Sequence, residues 1–336
     1  MDKSYYDELK RFSFALSEKK EEREDEGLSF ESKPLRIRII ATIDQFGRGK
    51  DYRILEEELI ALGHEVQFLS PKSNIPDEVV DVNLFLNEYR TGFIPFAHGN
   101  YFIPNPEWCY FDESYLKECN YILCRTKEVD RICKDIGLET YELGFTSCDY
   151  YQEDVKKAYH KPFHTIGMGI QKGTQELLNV WEKNPDFPKL TFLESRELYT
   201  TNAPNVDQQV RFVAQTDYIR LMNEHGLHIY PCHTEGYGHL ILEAMSTGAV
   251  VITTDAPPMN EHIRDSRFLV RWETKEQVQM ATKYYADEKH LEEVIRSVLQ
   301  MSEEELKEVG EQNREYYLKG REKFRENLKN LFGEAD

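Results

Sequence analysis

Long apolar runs, an export signal and an excess of basic charge are all missing from this sequence. No stretch is long and apolar enough to cross a bilayer, which argues against a membrane-spanning chain. Residues 1 to 33 lack the basic and apolar regions of a signal peptide. Tyr5, Leu9, Phe12 and Leu16 share one helical face, and the dense mixed-charge run Glu18 to Glu26 follows, so this part reads as a docking helix and a solvated linker. With 42 basic against 61 acidic residues and a net charge of −19, the surface is a poor match for nucleic acid or an anionic membrane face. The one basic cluster, Lys156, Lys157, His160 and Lys161, reads as a solvated interdomain linker. Six cysteines without a CxxC pair point to reduced thiols in a cytoplasmic protein, not to a disulfide framework or a zinc site.

What is present is an alternation of β-prone runs and helical periods. The length of 336 residues, a hydrophobic content of 40% and the lack of an internal repeat suggest two compact domains. Leu35 to Ile43 reads as a first strand. A glycine-containing turn at Gly47-Arg48-Gly49, a helix through Leu55, Leu59 and Leu62, and a strand from Glu65 to Leu69 complete a βαβ opening. Strands are expected at Asp81 to Leu86 and Tyr121 to Cys124, and a helix from Lys127 to Ile136. A domain change falls near residues 150 to 162. Beyond it, strands at Phe163 to Met168, Leu190 to Leu193, Val210 to Val213, Leu227 to Tyr230 and Val250 to Thr253 alternate with helices, the first of them at Thr174 to Trp181. Ser302-x-x-Glu305 is a capping box opening a last helix. The expected fold is α/β, two doubly wound Rossmann-like domains facing across a cleft, with ligand outside the strands' carboxyl ends. The expected boundaries are 1–33 for the N-terminal helix and linker, 34–158 and 159–304 for the two domains, and 305–336 for the C-terminal helix.

The run His233-Thr234-Glu235-Gly236-Tyr237-Gly238-His239-Leu240-Ile241-Leu242-Glu243-Ala244-Met245 holds the densest chemistry. It puts two carboxylates, with seven residues between them, around a Gly-aromatic-Gly turn between a strand and a helix that Gly248 stops. Glu235 then sits in the loop at a strand's carboxyl end. Gly236 and Gly238 allow close backbone approach to a ligand. The helix start offers free N–H groups and a positive dipole end to a diphosphate. Glu243 can accept from two neighbouring hydroxyls such as those of a ribose. His228 and His233 flank the strand end, but alternation sends them to opposite faces, which argues against ligation of a metal by this pair.

From Tyr230 to Glu261, including Gly248 to Asp255 and Ala256-Pro257-Pro258-Met259-Asn260-Glu261, the sequence resembles the donor-site signature of retaining GT-B glycosyltransferases of the family 4 (glycosyltransferase group 1) type. Gly63-His64-Glu65-Val66 resembles their amino-terminal domain. Phe102 to Trp108, Cys124-Arg125-Thr126-Lys127 and Gly144-Phe145-Thr146-Ser147 look like segments that line the cleft in one subgroup. The resemblance implies transfer of a sugar from a nucleoside diphosphate sugar to an acceptor hydroxyl with retention, and a last helix crossing back onto the first domain. In this reading Glu235 and His98 act in catalysis, His98, a loop residue in Ala97-His98-Gly99-Asn100, as the first-domain residue touching the transferring sugar. Lys172, Gly236, Tyr237, Gly238, His239, Leu240, Glu243, Gly47 and Gly49 bind the donor. The family's diphosphate loop carries an arginine and a lysine. Here it reads Gly167-Met168-Gly169-Ile170-Gln171-Lys172-Gly173, with Met168 in the arginine's place, so Lys172 carries the charge almost alone unless a basic residue from elsewhere compensates. No Asp-x-Asp metal clamp stands out, so neither a metal nor a cofactor beyond the donor is expected. A GT-B-fold sugar-nucleotide epimerase and a catalytically silent sugar-nucleotide-binding module are the alternatives. The base, sugar, acceptor and oligomeric state stay open.

Overall fold

The computed structural model describes residues 33–43, 47–109, 116, 118–167 and 169–335, so the expected docking helix and linker lie outside the described residues. Two parallel sheets of six strands organise the chain. In the first, β1 (Arg36–Ile40), β2 (Glu65–Leu69), β3 (Val80–Leu86), β4 (Ala97–Ile103), β5 (Tyr121–Cys124) and β6 (Thr140–Glu142) lie in the order β2-β1-β3-β4-β5-β6. In the second, β7 (Ala158–Thr165), β8 (Leu190–Glu194), β9 (Val206–Val210), β10 (His225–Tyr230), β11 (Val250–Thr254) and β12 (Leu269–Val270) lie in the order β12-β11-β10-β7-β8-β9. These are the two Rossmann-like halves expected from the sequence. Ile37, Ile39, Leu84, Phe163, Leu227, Ile229, Val250 and Ile252 are fully or almost fully buried, as strands covered on both faces require.

The helices follow from local signals. α1 (Gly47–Ala61) connects β1 to β2 and buries Leu55 and Leu59. α2 (Lys127–Asp135) is capped by Thr126, whose side chain accepts from Val129 N, and carries Glu128 and Asp130 in its first turn. α3 (Thr174–Lys183) starts at Gly173, whose φ of 63° suits glycine. A Cβ there would fall 2.0 Å from the Pro231 carbonyl oxygen, so this glycine lets the loop after β7 press against the loop after β10. α4 (Gln215–Glu224) precedes β10, and α5 (His239–Ser246) follows it. α6 (Glu288–Leu299) leads to α7 (Glu303–Phe332), whose capping box at Ser302 and Glu305 is formed. No helix among the described residues is long and apolar enough to cross a membrane.

α7 runs 30 residues, about 45 Å, and ties the halves together. Asn313 donates to Ala249 O and Arg314 to Ser246 O in the second half. Further on, Arg325 pairs with Glu58, Asn327 donates to Leu143 O, and the Phe332 ring meets Tyr101 edge-on at 5.4 Å in the first.

Several expectations are corrected. Gly47 and Gly49 lie in the first turn of α1, not in a turn before it. The segment Ala97-His98-Gly99-Asn100 is the start of strand β4, held by Asn100, which donates to Ile94 O and accepts from Asn83. Strand β7 runs Ala158–Thr165 instead of 163–168, and β9 runs Val206–Val210 instead of 210–213. Lys157 is half-buried and donates to Asn223 O at 2.7 Å, with burial lowering its pKa to about 8, so it is not a solvated linker residue. An antiparallel hairpin, β13 (Trp272–Val278) and β14 (Ala281–Ala286), stands apart from both sheets.

Candidate functional site

The strand order of the second sheet reverses between β7 and β10, because β8 and β9 build outward on one side of β7 while β10 and β11 lie on the other. A crevice opens at such a switch point, outside the strands' carboxyl ends. The loop after β7 brings Lys172 there and the loop after β10 brings Glu235. Their side chains form an ion pair at 2.5 Å, with 15% and 8% of each side chain exposed. Burial works against the charge on Lys172, but the Glu235 carboxylate more than offsets it and holds the ammonium above its ordinary pKa. His164, buried beneath this loop, joins Ile229 O at 2.6 Å and the Thr174 hydroxyl at 2.9 Å, and burial lowers its pKa to about 4.

The first half closes over this loop. A Cβ on Gly236 would fall 2.2 Å from Asn105 Oδ1, so the segment after β4 approaches the turn through a space only glycine leaves open. Asn105 in turn donates to Glu107 at 3.3 Å. Burial, and next the neighbouring Glu235, push the Glu107 carboxyl up to about 7 against the pull of Lys172. The hairpin tip completes this edge: Met280 N donates to Pro106 O at 3.1 Å, and Tyr284 N donates to His233 O at 2.7 Å.

At the start of α5 the halves interlock. Glu243 is completely buried; its Oε1 is paired with Lys50 of α1, while its Oε2 has no partner among the described residues. Ser147 Oγ lies 2.8 Å from His239 Nδ1 and 3.4 Å from Glu243 Oε1. His239 Nε2 meets Asp51 Oδ1 at 2.7 Å, and Asp51 Oδ2 accepts from Arg125 at 2.9 Å. Arg125 also donates to Pro104 O at 3.1 Å and stacks over the Phe145 ring. The Tyr237 hydroxyl donates to Phe145 O at 2.6 Å, and His262 donates to Tyr237 O at 2.6 Å. One chain of contacts thus runs from Arg125 through Asp51, His239, Ser147 and Glu243 to Lys50, crossing between the halves four times.

Of the residues singled out in the sequence, Glu235, Gly236, Tyr237, Gly238, His239, Leu240, Glu243 and Lys172 share this crevice. Gly49 is buried in the α1 turn that supplies Lys50, with Gly47 at its start. His98 is not brought there. It lies exposed at the amino end of β4, five residues before Ile103, which puts it roughly 16 Å along the strand from the carboxyl end facing the cleft. Met168 lies outside the described residues. Lys50, Asp51, Asn105, Glu107, Arg125 and Ser147 complete the site. The last four lie in segments expected to line the cleft, but no local pattern marks Lys50 or Asp51. Among the described residues no group of three or more His, Cys, Asp and Glu side chains is placed to hold a metal ion.

Residues 186–318 match the family model described as Glycosyl transferases group 1. This stretch carries Glu235 and Glu243 but not Lys172. No curated protein matches the chain. Among solved structures, sucrose-phosphate synthase from Thermosynechococcus elongatus is similar with a TM-score of 0.66 at 11% identity, over 89% of this chain and 98% of that one. A glycosyltransferase from Rickettsia africae is similar with a TM-score of 0.67 at 11% identity and the same coverage. The catalytic domain of starch synthase IV from Arabidopsis thaliana, bound to ADP and acarbose, gives 0.56 at 10% identity over 89% of this chain and all of that one. The fold is the GT-B arrangement of two Rossmann-like halves with a C-terminal helix joining them.

Proposed function

We propose that the protein is a retaining, metal-independent glycosyltransferase of the family 4 type, moving a sugar from a nucleoside diphosphate sugar to an acceptor hydroxyl. The observation that carries this reading is the meeting, at the switch point of the second sheet, of Glu235, Lys172 and the start of the helix bearing Glu243. The family match over residues 186–318 supports it. Glu235 binds hydroxyls of the sugar and orients it. Lys172 and the N–H groups at the start of α5 stabilise charge developing on the diphosphate as the anomeric C–O bond breaks. Glu243 accepts from the ribose hydroxyls. The acceptor oxygen bonds to the anomeric carbon on the face the diphosphate leaves, and its proton passes to a diphosphate oxygen. Closure of the two halves excludes water that would otherwise take the sugar.

Incubation with a panel of nucleoside diphosphate sugars tests this. Release of free nucleoside diphosphate with formation of an α- or β-linkage matching the donor supports transfer with retention. An epimerised donor, or a donor bound and left intact, would replace this reading with an epimerase or a silent binding module.

A further inference from the structure

Each of the two glutamates that bracket the start of α5 is paired with a lysine, and the two lysines come from opposite halves. Glu235 holds Lys172 of the second half, and Glu243 holds Lys50 of the first. The loop from Gly167 to Gly173 contains no other basic residue, so a diphosphate at the start of α5 meets one cation from its own half. Both terminal nitrogens of Arg125 are taken by Asp51 and Pro104 O, and Arg53 Nε donates to Gly49 O within α1. Among the described residues Lys50 has no second hydrogen-bond acceptor beside Glu243, and 19% of its side chain is exposed. Glu243 Oε2 is buried without a hydrogen-bond donor among the described residues. A buried carboxylate oxygen left unpaired is rare in a finished site and points to a ligand group that completes it.

We propose that Lys50 is the second cation for the donor diphosphate, supplied from α1 across the cleft in place of the arginine replaced by Met168. This rests on the donor-site reading above. On binding, the phosphates take the ammonium groups of Lys50 and Lys172, the ribose hydroxyls take Glu243, including its free Oε2, and the sugar hydroxyls take Glu235. Two internal ion pairs are exchanged for four contacts to one ligand, in which hydroxyl donors replace the lysines at both carboxylates. Because Lys50 belongs to the first half, its contact with the phosphates replaces the ion pair with Glu243 as a link between the halves.

The test compares affinities for nucleoside, nucleoside monophosphate and nucleoside diphosphate, first screened over the uridine, guanosine, adenosine and thymidine series by thermal shift. Lys50→Met is expected to weaken the diphosphate about tenfold or more, the loss of one charge-assisted contact, while the nucleoside changes little. Lys172→Met alone should leave a reduced diphosphate response, and the double variant none. Lys50→Gln, whose amide still donates to Glu243, guards against loss of folding and should show the same selective loss, while Lys50→Arg should retain affinity. Equal weakening of all three ligands would mean that Lys50 only neutralises Glu243, and an unchanged diphosphate affinity would mean that it does not touch the phosphates. Either result overturns this proposal and leaves the donor site standing. Failure of every nucleoside diphosphate to stabilise the wild-type protein would instead remove the donor-site reading itself, and the role of Lys50 with it.

Discussion

Asp51 and His239 are joined across the cleft by a 2.7 Å hydrogen bond, and the second Asp51 oxygen holds Arg125. Burial alone would raise the Asp51 pKa, but Arg125 and His239 outweigh it and hold the carboxyl below its ordinary value. Asp51→Ala leaves the Arg125 guanidinium, only 4% exposed, without its counter-charge. The expected loss is about 3–5 kcal/mol, read from urea unfolding at pH 7. Asp51 has a lowered folded pKa, so its contribution is present above the unfolded value and disappears as pH falls through the folded one. A variant within about 0.5 kcal/mol of wild type would show that the cross-cleft chain holds nothing together.

Four histidines are buried in the second half. Burial lowers His164, His225 and His262 to about 4 and His228 to about 3. Unfolding lets them take up protons at their ordinary value of 6.5, so the unfolded chain binds more protons in the window below it. Stability is therefore fully present above about 6.5 and falls toward pH 4. Melting temperature measured from pH 8 to 4 should begin to drop near 6.5, before ordinary carboxylates titrate. A flat profile down to pH 5 would mean that these histidines are solvated.

Glu107 has the opposite sign. Its folded pKa, raised to about 7, makes the native state bind more protons than the unfolded one between the ordinary 4.5 and 7. Its favourable contribution is present below about 4.5 and lost as pH rises through 7. Glu107→Gln should stabilise the free protein at pH 8 by on the order of 1–3 kcal/mol and change little at pH 4.5. Equal effects at both values would mean that Glu107 titrates normally.

How far the sequence reveals this arrangement depends on how local each signal is. Strands β10 and β11 and helix α5 are legible because apolar runs are bounded by glycines and buried on both sides. Strand β4 is not: His98, Gly99 and Asn100 read as a loop, and the strand exists because Asn100 N donates to Asn120 Oδ1 and its side-chain oxygen accepts from Asn83. The hairpin is hidden for a related reason. Trp272 to Val278 is exposed and charged, its turn at Gln279-Met280 has no Asn-Gly or Asp-Gly signature, and its anchors are backbone bonds to Pro106 and His233. The pair of Lys50 and Glu243 joins residues 193 positions apart, which no spacing rule reaches. Glu235 and Glu243 were legible as a motif, but their partners belong to the closed fold.

Metal independence is an expectation that a chelator tests. If lysines and the start of α5 meet the diphosphate charge, transfer should persist in EDTA at near its full rate, measured as nucleoside diphosphate released. Complete loss restored by Mn²⁺ or Mg²⁺ would assign that charge to a metal.

If the two glutamates meet different parts of the donor, as proposed, they should differ in kinetics. In the proposed function Glu243 contacts the ribose, which changes little as the anomeric bond breaks, so its contacts stabilise ground and transition states alike. Glu243→Ala should raise the donor KM by an amount worth roughly 1–3 kcal/mol with kcat little changed. Glu243→Gln, which keeps the side chain's shape, separates that loss from the effect of leaving Lys50 unpaired. In the same reading Glu235 faces the sugar; it is paired with Lys172 and neighbours Glu107, where charge changes during the reaction. Glu235→Gln should lower kcat by more than it raises KM. Steady-state measurements over a range of donor concentrations separate the two parameters. The same signature in both variants, or full activity in Glu235→Gln, would mean that Glu235 serves only as the counter-ion of Lys172.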